Sequence, residues 1–151
     1  STMRRGRMGR MEHNLTLRAA RAAHPLASIV LRQLGGGKEA IESAIDAGEH
    51  GADAGWGGFI YYSETVPWAK RHRKAILACA SDMARDLGEG SVAQLVASFR
   101  CVKDCTTSAD VEAVLFGTSR DDDAQTVVWN ALAWFALEEV GRALADRRDE
   151  A

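Results

Sequence analysis

The stretch from His50 to Trp68, HGADAGWGGFIYYSETVPW, constrains the fold most, because it separates two helical regions with four glycines and four of the chain's six Trp and Tyr residues. Each glycine costs a helix about 1 kcal/mol, so the stretch is unsuited to an ordinary helix. Its aromatic side chains gain free energy from burial, which disfavours a flexible linker. We therefore predict an ordered, irregular segment, called here the hub segment, against which helices pack.

Helical spacing of apolar residues dominates the rest of the chain, and no segment shows the sustained alternation that is typical of strands. Glycines mark predicted helix ends: Gly48 follows KEAIESAIDA, and Gly88 ends one long helix. That long helix begins near Ser63 or Thr65, with Pro67 in its first turn, where a missing N–H is tolerated. The sequence predicts an all-α, compact single-domain bundle of about six helices around the hub segment.

The last predicted helix extends from about Asp121 to Arg147 and begins with three consecutive aspartates, which suit the positive end of a helix dipole. In its first half, VVWNALAWF, apolar side chains point in nearly every direction around the axis. Such a helix is buried on several sides. We predict that it forms the core and that the hub segment packs against Leu132, Trp134 and Phe135.

The N-terminus is a basic arm, because residues 1–32 carry seven arginines and one glutamate although the whole chain has a net charge of −2. Residues 1–12 lack apolar periodicity and are predicted to be flexible, and Ser1 and Thr2 resemble a remnant of tag cleavage. Residues 13–148 are predicted to form a single helical domain. No apolar run approaches the roughly 18 residues of a membrane span, so we expect no membrane association and a cytoplasmic monomer or homodimer.

The first candidate partner-binding group consists of hub aromatics. Amphipathic aromatic side chains dominate binding hot spots, so a surface position would make them a recognition platform. The alternative is that they fill the core of a small helical domain. The residues concerned are Trp56, Tyr61 and Tyr62.

The second candidate group is positively charged. The basic cluster, on the predicted long helix, consists of Lys70, Arg71, Arg73 and Lys74. Such charge is usually a solvated face, and the alternative is contact with an acidic partner or nucleic acid. The candidate nucleic-acid-binding residues of the arm are Arg4, Arg5, Arg7 and Arg10.

No set of residues has the spacing of a catalytic or metal site. Cys101 and Cys105 resemble half a zinc site, but structural zinc sites usually need a second Cys/His pair, which is absent. Cys79 and His72 share a predicted helix face roughly 10 Å apart, too far for direct proton transfer. We predict a non-enzymatic protein without metal or cofactor, with a small enzyme as an alternative.

Two segments resemble a family of short, uncharacterised phage and prophage accessory proteins. In that family a glycine-containing turn leads into a Tyr-Tyr-Ser/Thr-Asp/Glu-Thr helix start, and the last helix carries Asn-x-Leu-Ala-Trp-Phe/Tyr-x-x-Glu-Glu. The matching residues here are Gly58, Tyr61, Tyr62, Ser63, Glu64 and Thr65, then Asn130, Leu132, Ala133, Trp134, Phe135, Glu138 and Glu139. The resemblance covers about 100 residues and departs in the arginine-rich arm and in the region from Cys101 to Gly117.

The resemblance implies a mobile-element protein inside a bacterial host. Small phage proteins without catalytic signatures are often inhibitors of host machinery, so we expect a non-enzymatic inhibitor or modulator of host defence, of the anti-CRISPR or antirestriction type. Its partner would be a host protein or ribonucleoprotein complex. The alternative is a nucleic-acid-binding accessory protein that uses the arm and the basic cluster.

Overall fold

The computed structural model describes residues 15–52, 62–99 and 102–150, and within these ranges the chain is helical without any strand. The all-α prediction is confirmed, whereas the expectation of about six helices was too low, because the described part contains eight. They are α1 (Leu17–Ala22), α2 (Ala27–Gln33), α3 (Lys38–His50), α4 (Tyr62–Arg71), α5 (Arg73–Asp86), α6 (Val92–Ser98), α7 (Ser108–Leu115) and α8 (Asp122–Glu150).

The predicted long helix is divided in two at His72, whose φ of −108° and ψ of 27° leave the helical region. Backbone hydrogen bonds still cross the break, since His72 N–H donates to the Trp68 carbonyl at 3.2 Å and Ile76 N–H donates to the His72 carbonyl at 3.0 Å. Pro67 lies inside α4 rather than in its first turn. It removes one backbone donor there.

The buried side of α4 joins the hub segment to the last helix. Thr65 was a candidate helix cap, but it lies within α4, is fully buried and donates from its hydroxyl to Asn130 Oδ1 at 2.7 Å. Trp68 is buried three residues later. The described end of the hub segment therefore packs on α8 at Asn130, and its contacts with Leu132, Trp134 and Phe135 stay predictions.

Helix α8 is the central element of the core. The Asp121 carboxylate accepts hydrogen bonds from the N–H groups of Asp123 and Ala124 at 2.9 and 3.1 Å, so the predicted aspartate cap is confirmed. Burial follows on several sides of the helix, again as predicted. The large apolar side chains buried there are Trp129, Leu132, Phe135, Leu137, Val140 and Leu144.

Helices α3 and α8 cross with their backbones in close contact at two glycines. Gly48 does not end α3 as predicted, because the helix continues to His50 and stops at Gly51, whose φ is +103°. A Cβ on Gly48 would lie 2.9 Å from Gly141 Cα, and a Cβ on Gly141 would lie 2.6 Å from Gly48 N. Only residues without side chains fit this crossing.

Polar contacts flank the glycine crossing on both sides. Arg148 Nη2 donates to Glu49 Oε2 at 2.7 Å, and the Ala52 N–H donates to Glu138 Oε2 at 2.9 Å. Both contacts join α8 to α3 or to Ala52, two residues after its end. The crossing thus fixes where the hub segment leaves α3, next to Glu138.

Candidate partner-binding site

Only part of the predicted site lies within the described residues. Tyr62 is the first residue of α4, and only its backbone is described. The predicted site residues outside the described ranges are Trp56, Tyr61, Arg4, Arg5, Arg7 and Arg10. The aromatic platform and the arginine arm therefore remain predictions, and the structure bears on the basic cluster alone.

The basic cluster lies at the junction of α4 and α5, and all four of its side chains are exposed. Lys70 Nζ donates to Gln125 Oε1 at 3.0 Å. Arg73 donates to the Leu115 carbonyl, and its guanidinium carbon lies 5.9 Å from the centroid of the Trp129 ring. Two members of the cluster therefore attach the junction to α7 and α8.

His72 lies at the centre of the junction, with positively charged side chains near it. The centroids of the His72 and Trp68 rings are 5.7 Å apart, in an edge-on arrangement. Partial burial is the largest cause that lowers the His72 pKa, and the charges of Arg71 and Arg32 lower it further. Arg32 on α2 thus adds a fifth positive charge that sequence spacing did not connect with the cluster.

The buried thiol of Cys79 is a poor nucleophile. Burial, followed by the charges of Glu139 and Asp82, raises the Cys79 pKa to about 12, so the thiol stays protonated at neutral pH. Its side chain belongs to the hydrophobic core. This is the environment of a core cysteine rather than of a catalytic thiolate.

A groove of about 510 Å³ opens between α5, α6 and α8. Its walls are mainly apolar. The C-terminal ends of α5 and α6 each contribute two apolar side chains that are four residues apart. Phe99 packs edge-on against Phe135 at the groove, with 4.6 Å between ring centroids. The apolar lining consists of Met83, Leu87, Leu95, Phe99 and Phe135.

Acidic side chains predominate at the rim of the groove. Asp86, Glu138 and Glu139 line it together with a single cation, Arg142. Arg142 forms an ion pair with Glu139, with Nε 3.0 Å from Oε1. Glu138 accepts only the uncharged Ala52 N–H among its described contacts. The groove therefore has an apolar interior and a rim that carries surplus negative charge.

Sequence reasoning missed this groove because the predicted long helix ends at Gly88, which places Leu87 in its last turn. Helix α5 ends at Asp86, and Leu87 is 65% exposed. The comparable exposed side chain on the described surface is Phe116, at 73%. Leu87 and Phe116 each directly precede a glycine in the left-handed region, Gly88 and Gly117 respectively. An apolar residue directly before a helix-ending glycine was therefore the sequence signal that could have indicated these exposed side chains.

Comparison with other proteins identifies a family. Across residues 15–52, 62–99 and 102–150, no helix is long and apolar enough to cross a membrane, and no three His, Cys, Asp or Glu side chains group as metal ligands would. Neither curated proteins nor solved structures gave a significant match. Residues 23–150 match the model of a family described as a domain of unknown function, DUF7222. Since the match spans most of the chain, the protein belongs to the DUF7222 family.

Proposed function

We propose that this protein is a non-enzymatic protein-binding module that inhibits or modulates host defence machinery by occupying a functional surface of its partner. The observation that carries the proposal is the groove between α5, α6 and α8. A concave pocket with mainly apolar walls and a few polar groups is typical of a binding site, and here Leu87 is the exposed apolar member whereas Met83, Leu95 and Phe135 are buried. A protein segment that inserted apolar side chains there would bury Leu87 and remove its exposed surface from water.

The surroundings of the groove suit a rigid binding surface. Its back wall is α8, which is buried on several sides, and Phe99 is fixed against both Phe135 and Trp134 by edge-on ring contacts. Preformed walls reduce the entropy that a partner must lose on binding. This rigidity favours recognition of a partner over an induced rearrangement of the module.

A binding role is also supported by the structural contacts of the ionisable side chains near the groove. Cys79 is buried and protonated, Glu139 pairs with Arg142, and Glu138 holds the backbone after α3. Each of these groups has a structural role. The proposed host target, a protein or ribonucleoprotein complex of the defence machinery, rests on the resemblance to phage proteins in the hub segment and the last helix.

The test is affinity capture from bacterial lysate with two matched surface variants. Leu87→Asp places a charge in the groove, whereas Phe116→Asp makes a comparable change at an exposed aromatic residue that does not line it. We expect the wild type and Phe116→Asp to recover the same stoichiometric protein and Leu87→Asp to lose it, with equal circular dichroism spectra. Equal recovery by both variants, or recovery of no partner by the wild type, would refute the groove as the binding site.

A second candidate function, nucleic-acid binding, is supported by the exposed cations around His72. Arg71 and Lys74 are exposed, Arg32 acts on the same histidine as Arg71, and the arginine arm would add further phosphate contacts. Lys70 and Arg73 are less available because both contact other helices.

Salt dependence of binding tests this second function. In anisotropy titrations with a labelled DNA duplex, Arg71→Ala and Lys74→Ala should each lower the slope of log affinity against log salt by about one. Arg85→Ala, which removes the exposed partner of Asp82, is the control. Slopes that match between all three variants and the wild type, or no binding at low salt, would exclude the basic cluster as a nucleic-acid site.

A further inference from the structure

We infer that the groove binds a cationic amphipathic α-helix, with apolar anchors in the groove and Lys or Arg side chains beside its rim. This inference rests on the proposed protein-binding function and specifies the chemistry of the partner segment. The spacing of the apolar lining and the charge of the rim carry it independently of each other.

The apolar lining has the periodicity of a helix-binding surface. Met83 on α5 and Leu87, directly after that helix, are four residues apart, and so are Leu95 on α6 and Phe99, directly after it. Residues at this spacing are separated by one helical turn, about 6 Å. The two rows therefore have the interval at which an incoming helix places its own i, i+3, i+4 and i+7 side chains, and Leu87 and Phe99 are the more accessible member of each row because Met83 and Leu95 are buried.

The volume of the groove suits side-chain anchors rather than a whole chain. At about 510 Å³ it lies within the range of sites that enclose a small molecule, so it can receive a few large apolar side chains from a helix lying across it. Phe135 closes the floor from α8, where only 3% of its surface is exposed. The ends of a bound helix would extend past the rim.

The rim selects the charge of that helix. Arg142 compensates Glu139, but Asp86 and Glu138 have no cationic partner among their described contacts. Carboxylates beside an apolar wall focus a negative potential on the mouth of the groove. Cations that flank the anchors would be attracted, whereas an acidic helix or a nucleic acid would be repelled.

The experiment uses two labelled peptides of about 14 residues, long enough for measurable helix formation. Both carry leucines at i, i+3, i+4 and i+7, and the remaining positions are alanine with lysine in one peptide and with glutamate in the other. We expect the full-length protein to bind the lysine peptide about tenfold more tightly by fluorescence anisotropy, as two or three surface charge pairs allow. The preference should shrink in 0.5 M NaCl because of screening.

Variants separate the contributions of the groove and its rim. Asp86→Asn with Glu138→Gln removes two charges, while the amide oxygen of the second substitution still accepts from the Ala52 N–H. This double variant should reduce the preference to about threefold or less. Leu87→Asp should abolish binding of both peptides, and Phe116→Asp should change neither. Equal affinities for the two peptides, a preference for glutamate, or binding unaffected by Leu87→Asp would overturn the inference.

The two proposals fail in different ways. Loss of the lysate partner in Leu87→Asp, combined with no preference between peptides, would retain the protein-binding groove and refute a cationic helix as its ligand. Retention of the lysate partner in Leu87→Asp would refute the groove as the functional site whatever the peptides do.

Discussion

Replacement of Gly141 by alanine should destabilise the fold although alanine is the better helix former. A Cβ at this position would lie 2.6 Å from Gly48 N and 2.9 Å from the Ala44 carbonyl carbon, and both neighbours are backbone atoms that cannot rotate away. Ordinary van der Waals contact needs at least 3.4 Å. Helices α3 and α8 would therefore have to separate by about 0.5–1 Å or more.

The magnitude follows from two opposing effects. Helix propensity favours alanine by about 1 kcal/mol. Separation by about 0.5–1 Å forfeits a quarter to a half of the dispersion energy of the atoms that part, and overpacked cores typically lose about 1–3 kcal/mol or more. Buried residues Ile41, Ala44 and Ile45 on α3 would share that loss. Because the clashing neighbours are backbone atoms, the loss lies at the upper end of that range, about 3 kcal/mol, and the net destabilisation should be about 2 kcal/mol.

Urea unfolding followed by circular dichroism at 222 nm gives the unfolding free energy directly. Gly90→Ala is the matched control, because its Cβ would approach only Oε1 of the flexible Gln94 side chain, at 2.5 Å, and it should remain within about 1 kcal/mol of the wild type. An unfolding free energy of Gly141→Ala equal to or above that of the wild type would refute the close backbone crossing.

Three further predictions concern a buried hydrogen bond, a partly buried histidine and the two described cysteines. Thr65→Val leaves Asn130 Oδ1 without this hydrogen bond and should lower the unfolding free energy by about 1–3 kcal/mol in urea titrations. Burial lowers the His24 pKa below 6.5 despite nearby carboxylates, so the unfolded chain takes up the proton at a higher pH than the folded protein does. The unfolding free energy should therefore fall as the pH drops below 6.5, and His24→Asn should weaken that dependence. Cys105 is exposed and should react with a disulfide reagent at neutral pH, whereas buried Cys79 should react only on unfolding, as single-cysteine variants would reveal.

Helix type and the position of the core were predictable because they depend on local patterns. The apolar residues around the first half of α8 indicated burial on several sides, and the Asp121 cap follows from the preference of helix N-termini for carboxylates. The break at His72 carries no such signal, because its flanking apolar spacing is continuous. Residue patterns therefore predicted one helix where the chain forms two.

The glycine crossing and the groove were not predictable because they depend on which helices meet. A glycine near a helix end is usually a cap, and only the arrival of Gly141 from α8 makes Gly48 a contact residue. The groove likewise combines the consecutive helices α5 and α6 with α8, which is distant in sequence. The basic cluster was visible in the sequence, but its additional cation, Arg32, and the structural contacts of Lys70 and Arg73 were not.

Photo-crosslinking in bacterial cells tests most directly whether the groove binds a protein partner. A photoreactive phenylalanine derivative is placed at position 87, inside the groove, and in a parallel protein at position 116, which is similarly exposed but does not line it. We expect irradiation to give a discrete crosslinked product with one host protein from position 87 and none from position 116. A product from position 116 alone, or the absence of any product from position 87, would contradict the proposed binding site.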